Sequence, residues 1–529
     1  MSDNNTTHRQ VYQREELHKK LWEMANSLRN NMEGSEFKNY VLGLLFYRFL
    51  SEHEELQIKE LLKDDGISFA EAFKNEDYVQ PITDWMIEAN GYFIEPKYLF
   101  TSCINLIEQE KFDVDYLNKA INSITASTLG KKSEKLFENL FDDMDLTSSK
   151  LGRDVKSRSI LIAKVMKSID TIDFELENTE IDVLGDAYEY LIGMYAATAG
   201  KKAGEFYTPQ SVSKLLSLLA TDGLKQTKAV CDCACGSGSL LLQVGRCVKV
   251  GHYYGNECNP TTYNLARMNM ILHNIHYEQF DIRHTDTITD GGENSSSWEE
   301  KYQVQVANPP YSQKWSASDK YMKDDRFSPY GKLAPKSYED MAFLEHMIFH
   351  MTDDDARIAV LLPHGVLFRG GAEEAIRTYI VKNLNYLDAV IGLAPNCFYG
   401  TSIPVSLLVL KNDRGQNKDN ILFIDASKEY EPGKNQNSIT EENVQKILNA
   451  YKNRKDIEKF CHVASMKEIE ENGYNLNITR YVDTFDEEPE LDLAEIDKEL
   501  KEATAERDAL MKEYEKFAKE LGTVIWKMK

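Results

Sequence analysis

Seven short apolar runs recur between residues 229 and 410: Ala229–Asp232, Tyr253–Asn256, Phe280–Arg283, Val304–Ala307, Ile358–Leu362, Leu387–Ile391 and Val405–Leu410. Stretches of helical period precede or separate most of them, among them Gln210–Leu219, Thr261–His273 and Glu373–Asn383. Strands that alternate with helices build an open, mostly parallel sheet with helices on both faces. An α/β fold of this kind binds its ligands at the carboxyl ends of the strands. Those ends are therefore where chemistry is to be sought.

One such end is Asp232-Cys233-Ala234-Cys235-Gly236-Ser237-Gly238, which follows a strand and precedes the helical pattern Ser239–Val248. Gly236 and Gly238 allow a tight turn and a close backbone approach to a ligand. The helix that follows offers N–H donors and the positive end of its dipole. Glu257 ends the next strand about twenty residues on, where an acid can bond ribose hydroxyls. A dinucleotide site would place a third glycine at position 241, which is leucine. That departure favours an adenosyl amino acid over a pyrophosphate. Cys231, Cys233 and Cys235 have no second cysteine pair nearby, as a closed zinc site requires, so no metal is expected.

A second strand end carries Asn308-Pro309-Pro310-Tyr311. An aromatic exocyclic amine is a poor nucleophile because its lone pair is delocalised into the ring. Two acceptors aimed at its hydrogens, the Asn308 side-chain oxygen and the Pro309 carbonyl, favour a more tetrahedral nitrogen. Pro309 and Pro310 stiffen the loop and fix where that carbonyl points. Tyr311 offers a flat face to an extruded base. Asn-Pro also ends strands in ordinary turns, but here it follows a glycine-rich cofactor loop on the same sheet.

The flanks read differently. Glu15–Leu28 and Ser35–His53 have helical spacing, the latter through Phe37, Val41, Leu44, Leu45 and Phe49, with a polar turn at Arg29–Gly34. A packing bundle fits this better than a helix-turn-helix DNA reader. At the other end, Leu493, Ile496, Leu500, Ala503, Arg507, Leu510, Tyr514, Phe517 and Leu521 step alternately by three and four residues, a heptad seam. Gly291–Ser297 and Ser312–Asp340 read as long loops, functional or mobile. The expected domains are a helical one over 1–165, the α/β domain over 166–484 and a helical docking arm over 485–529.

Lysines and arginines number 62 against 86 acids, a formal net charge of −24. Phosphate contacts need local positive potential, so such a chain grips DNA poorly by itself and reads as a subunit of a larger assembly. No run of eighteen apolar residues suggests a membrane span. The polar start lacks the apolar core of a signal peptide. Eight scattered cysteines are no disulfide framework, and a reducing cytoplasm is expected.

Gly204-Glu205-Phe206-Tyr207-Thr208-Pro209, the Asp232–Gly238 loop and Asn308–Tyr311, in that order, resemble the amino-methylating DNA methyltransferases. The segments HKKLWEMANSLRNNMEGSEFKNYVLGLLFYRFLSE, TTYNLARMNMILHNI, LPHGVLFRGGAEEAIR and NCFYGTSIPVSLLVL resemble the modification subunit of type I restriction–modification systems. The resemblance covers nearly the whole chain. It implies a Rossmann-like methyltransferase sheet, S-adenosyl-L-methionine as cofactor, and methylation of the adenine amino group in DNA after base flipping. It also implies a cofactor site of Glu205, Tyr207, Thr208, Pro209, Asp232, Ala234, Gly236, Ser237, Gly238, Glu257 and Asp286. Thr208 would cover the methionine end and Asp286 would bond the cofactor's adenine. Asn308, Pro309, Pro310 and Tyr311 would be catalytic, with Phe398 packing on the flipped base beside Tyr311. The implied partners are a specificity subunit, shared by two modification subunits, and a restriction subunit. Cys233 departs from the family, which commonly has proline there. Little chain remains after Leu410 to read DNA bases, which fits a separate specificity subunit. Methylation of RNA or of glutamine side chains, and a non-catalytic assembly role, are the alternatives; the intact Asn308–Tyr311 argues against the last.

Overall fold

The computed structural model describes residues 34–172, 183–198, 208–290, 300–398, 402–433, 436–485 and 493–522. The chain divides into two compact units, Met1–Asp483 and Thr484–Lys529. The predicted helix Glu15–Leu28 and the loop Gly291–Ser297 lie outside the described residues.

The first unit begins with a helical bundle built around α1 (Gly34–Leu61). This helix starts at Gly34, the last residue of the expected turn, and runs past the expected end at His53. Every residue from Tyr40 to Ser51 is buried, so α1 is a central helix of the bundle and not a half-exposed amphipathic one. Two of its buried polar residues are matched accordingly. Both Glu54 carboxylate oxygens accept the Ile94 N–H at 3.0 Å, and the Arg48 guanidinium donates to the Ile169 carbonyl. The helices Val114–Ser127 and Val155–Asp170 pack into the same core. α2 (Val183–Thr198) joins it through Tyr188, Leu191 and Ile192.

The α/β part then runs through α3 (Gln210–Ala220), β1 (Gln226–Asp232), α4 (Ser239–Cys247), β2 (Lys249–Glu257), α5 (Pro260–Leu272), β3 (Phe280–His284), β4 (Val304–Ala307), α6 (Asp340–Phe349), β5 (Arg357–Pro363), β6 (Leu387–Leu393), β7 (Val405–Lys411), β8 (Asn420–Ala426) and β9 (Cys461–Ser465). The strands form one sheet in the order β3-β2-β1-β4-β5-β7-β6-β8-β9. β7 lies antiparallel between β5 and β6, and β9 is antiparallel to β8; the remaining pairs are parallel. Strands β5 and β6 are buried along almost their whole length, which explains their unbroken apolar runs. Beyond β7 the chain adds β8, the helix Glu441–Asn453 and β9 to this same sheet. From β1 the chain builds outward to β3 and then returns on the other flank of β1 as β4. That reversal opens a crevice at the carboxyl ends of β1 and β4.

Bundle and sheet share one interface, centred on α5. Leu265, Met268 and Leu272 enter the bundle's core. Arg267 is 2% exposed, and its Nη1 donates to the carbonyls of Lys135, Leu136 and Glu138 at 3.1, 2.8 and 3.1 Å. Asn264 Nδ2 adds a hydrogen bond to the Asp143 carboxylate at 2.8 Å.

The stretch Ser312–Asp340, expected as a loop, is a packed segment. It contains the short 3-10 helices Asp319–Lys323 and Ser328–Tyr330. Trp315, Tyr321 and Phe327 cluster with ring centroids 5.3–5.9 Å apart. Arg326 is buried, pairs with Asp324 at 2.8 Å and donates to the carbonyls of Thr287 and Ile288 at 2.9 and 3.0 Å. A buried guanidinium with this many partners fixes the segment, because leaving any of them without a partner is costly.

In the second unit, α7 (Leu493–Glu520) is a single helix of 28 residues. Along the heptad seam Ile496, Leu500, Leu510, Tyr514 and Phe517 are all exposed, by 41–63%.

Candidate active site

The two loops singled out by spacing meet at the crevice between β1 and β4. β1 ends at Asp232, and Gly236 and Gly238 both take positive φ, 53° and 77°, a backbone that only glycine adopts without cost. Gly238 caps α4. The loop is pinned from three sides. Gly236 N–H donates to Glu257 Oε2 at 3.0 Å, Ala234 N–H to Asp232 Oδ1 at 3.0 Å, and Asn269 Nδ2 to the Ser237 carbonyl at 2.9 Å. The Thr287 hydroxyl holds the Cys233 carbonyl, so hydrogen bonding restrains the loop there.

A cavity of about 340 Å³ opens in front of this loop. Its wall includes Thr208, Asp232, Ala234, Gly236, Ser237, Glu257, Asp286, Asn308 and Pro310, nine residues expected from the sequence. Pro209 and Gly238, also expected at the site, are not in its wall; they cap the amino ends of α3 and α4. Glu205 and Tyr207 lie outside the described residues. Sequence reasoning missed Lys38 and Leu42 on α1, Ile192 on α2, and Glu339 and Phe343 around the start of α6, all of which line the same cavity. No local motif marks them, since tertiary packing alone brings them there.

Asp232 is 2% exposed, and burial, with Glu257 nearby, pushes its carboxyl up to about 7, although the Ala234 N–H opposes this. Burial likewise raises Glu339 to about 7, with Asp286 and Asp340 adding repulsion. Glu257 Oε1 also accepts the Asn259 N–H at 2.7 Å. Asp286 Oδ1 accepts from Ile288 and Thr289 N–H at 3.0 Å each. The donor set suits a cationic ligand with hydroxyls: carboxylates on several sides, glycine backbone on one, and apolar Leu42, Ile192 and Phe343 on others. S-adenosyl-L-methionine fits that chemistry, with its sulfonium, ammonium and ribose.

Asn308 follows β4 at the mouth of the cavity. Its Nδ2 donates to Thr208 Oγ1 at 2.9 Å, and the Tyr311 hydroxyl donates to its Oδ1. These bonds fix the amide with its oxygen towards Tyr311. Burial and Asp340 push the Tyr311 phenol well above its ordinary value, so it stays a donor. Ser312 N–H donates to Asp340 Oδ1 at 2.9 Å and ties the loop to α6. The Tyr311 ring is 9% exposed and meets Phe398 edge to face at 6.3 Å. The ring expected to receive a base is therefore largely covered in this conformation.

Residues 179–490 match the family of N-6 DNA methylases, and residues 17–169 match the HsdM N-terminal domain. The chain is 39% identical over 514 residues to the type I restriction enzyme MpnII methylase subunit of Mycoplasma pneumoniae, covering 93% of each. It is 31% identical over 474 residues to the MjaVIII methylase subunit of Methanocaldococcus jannaschii, covering 87% of this chain and 77% of that one. The crystal structure of a type I restriction-modification methyltransferase subunit from Streptococcus thermophilus superposes with a TM-score of 0.82 at 41% identity, over 89% of this chain and 100% of that one.

Proposed function

This chain belongs to the N-6 DNA methylase family, as a methylase subunit of the type I restriction enzymes, and from that premise we propose how its residues divide the work. The reaction is transfer of a methyl group from S-adenosyl-L-methionine to the exocyclic amino group of adenine in DNA. The observation that carries the assignment is the Asn308 carboxamide, oriented by Thr208 at the mouth of an acid-walled cavity.

When bound, the cofactor supplies an electrophilic methyl on a sulfonium. Glu257 takes the ribose hydroxyls, Asp286 the adenine amino group and Asp232 the ammonium end. Asn308 Oδ1 and the Pro309 carbonyl accept the two hydrogens of the target amine, which raises electron density on its nitrogen and turns the lone pair towards the cavity. In the structure the Tyr311 hydroxyl occupies the acceptor that one of those hydrogens needs. An arriving base therefore takes over that bond as Tyr311 swings out to stack on it. Preorganised acceptors of this kind act on the transition state because they need not reorient during reaction.

Sequence choice falls to a separate specificity subunit, with two chains of this type per specificity subunit, and a restriction subunit joins the full complex. Three observations support this: the chain's net charge of −24, the use of residues 420–465 to extend the sheet, and the exposed seam of α7. Among the described residues no helix is long and apolar enough to cross a membrane, in keeping with a cytoplasmic place beside DNA. Labelled cofactor incubated with the purified complex and duplex DNA should yield N6-methyladenine. Label on RNA or protein instead would overturn the assignment.

A further inference from the structure

Four of the described residues that wall the cavity are acids, Asp232, Glu257, Asp286 and Glu339. Among those same residues Lys38 alone carries positive charge. The acids suit a sulfonium and an ammonium, but the methionine part of the cofactor also brings a carboxylate, which an ionised acid wall repels. Backbone N–H groups of the glycine loop can orient that carboxylate but cannot cancel its charge. Lys38 stands on α1 one turn before Leu42, on the same face, and both reach the cavity together with Ile192 and Leu265. The helix that carries it is buried in the bundle's core from Tyr40, two residues beyond Lys38, to Ser51, which anchors the lysine's backbone beside the site.

We propose that Lys38 is a cofactor-binding residue whose ammonium pairs with the methionine carboxylate, so that the N-terminal bundle supplies part of the site. The inference rests on reading the cavity as the S-adenosyl-L-methionine site. It makes cofactor affinity depend on the docking of bundle on sheet, and the ligand in turn holds the two together.

The test is calorimetry on the full-length chain with S-adenosyl-L-methionine and with its decarboxylated analogue, which keeps the sulfonium, ribose and adenine. Lys38→Gln should weaken the first by about tenfold or more, as loss of one charge-assisted bond does, and leave the analogue within about twofold. Lys38→Arg should recover most of the lost affinity. Equal weakening of both ligands would mean that Lys38 only packs, and no weakening of either would mean that it plays no part; both overturn the proposal. If the wild-type chain binds neither ligand, the reading of the cavity itself falls. Matching far-UV circular dichroism and melting temperatures separate all of these outcomes from misfolding.

Discussion

Arg267→Ala tests whether bundle and sheet are latched where the structure joins them. The wild-type guanidinium is almost fully buried and donates to the carbonyls of Lys135, Leu136 and Glu138, while its face lies 4.2 Å from the Tyr263 ring. A hydrogen bond from a charged donor is worth about 1.5–3 kcal/mol, so three set an upper range near 5–9 kcal/mol. Lys135 and Glu138 are exposed residues, and water can reach part of what the arginine vacates. The net loss should therefore be about 3–5 kcal/mol, in line with breaking other buried charged contacts. Arg267→Lys keeps the charge but not the planar fork that reaches the carbonyls through Nη1 and Asn264 Oδ1 through Nη2, and should recover less than half. Urea denaturation followed by far-UV circular dichroism reads the loss, since the bundle carries about half of the described α-helical residues. Calorimetry should show weaker cofactor binding in the same variant, because Leu42 and Ile192 reach the cavity from the bundle. A variant within about 1 kcal/mol of wild type, with unchanged cofactor affinity, would refute the latch.

Asn308→Ala should lower the methylation rate by about a hundredfold or more while calorimetry finds cofactor binding intact; near-normal turnover would remove Asn308 from the mechanism. Asp232 should couple cofactor binding to pH. Its carboxyl holds a proton up to about 7 in the free protein, whereas the unfolded chain releases it near pH 4. Between those values low pH favours the free folded state, and that contribution is lost as pH rises through about 7. The bound ammonium favours the ionised form, so the dissociation constant should rise by up to about tenfold per pH unit below 7, a slope that Asp232→Asn should reduce and that Asp232→Asn combined with Glu339→Gln should abolish. A chain ending at Thr484 should still fold and bind cofactor yet fail to co-purify with a specificity subunit; undiminished assembly would shift the dock to the bundle.

The seven strands read from sequence lie within four residues of their observed ends, because most are apolar runs cut off by glycine, asparagine or proline loops. β9, Cys-His-Val-Ala-Ser, is a short edge strand with only two buried residues, too weak a pattern to stand out. β8 has a clear apolar run, Ile421–Ile424, as legible as those of β6 and β7, and it is missing from the seven strands expected from the sequence. The site was legible where it is contiguous: the glycine loop, Asn308–Tyr311, and acids at strand ends. Lys38, Ile192 and Phe343 were not legible, since each lies on a helix whose sequence reads simply as core. The long segment after Tyr311 misled for a related reason. Its order comes from Arg326 reaching carbonyls at Thr287 and Ile288, a contact that no local periodicity announces.

The exposed stripe of α7 also bears on how much of this chain a cell can hold. Each copy made without its partner offers Leu500, Leu510, Tyr514 and Phe517 to water. Identical copies carry identical stripes, and two such seams suit one another as a coiled coil. If a specificity subunit docks on this seam, as proposed, it would compete for the same surface by mass action, and its supply would set the fraction of copies drawn off into the working complex. On that reading imbalance in synthesis should appear first as homotypic pairing through the tail, before the sheet and its cofactor are disturbed.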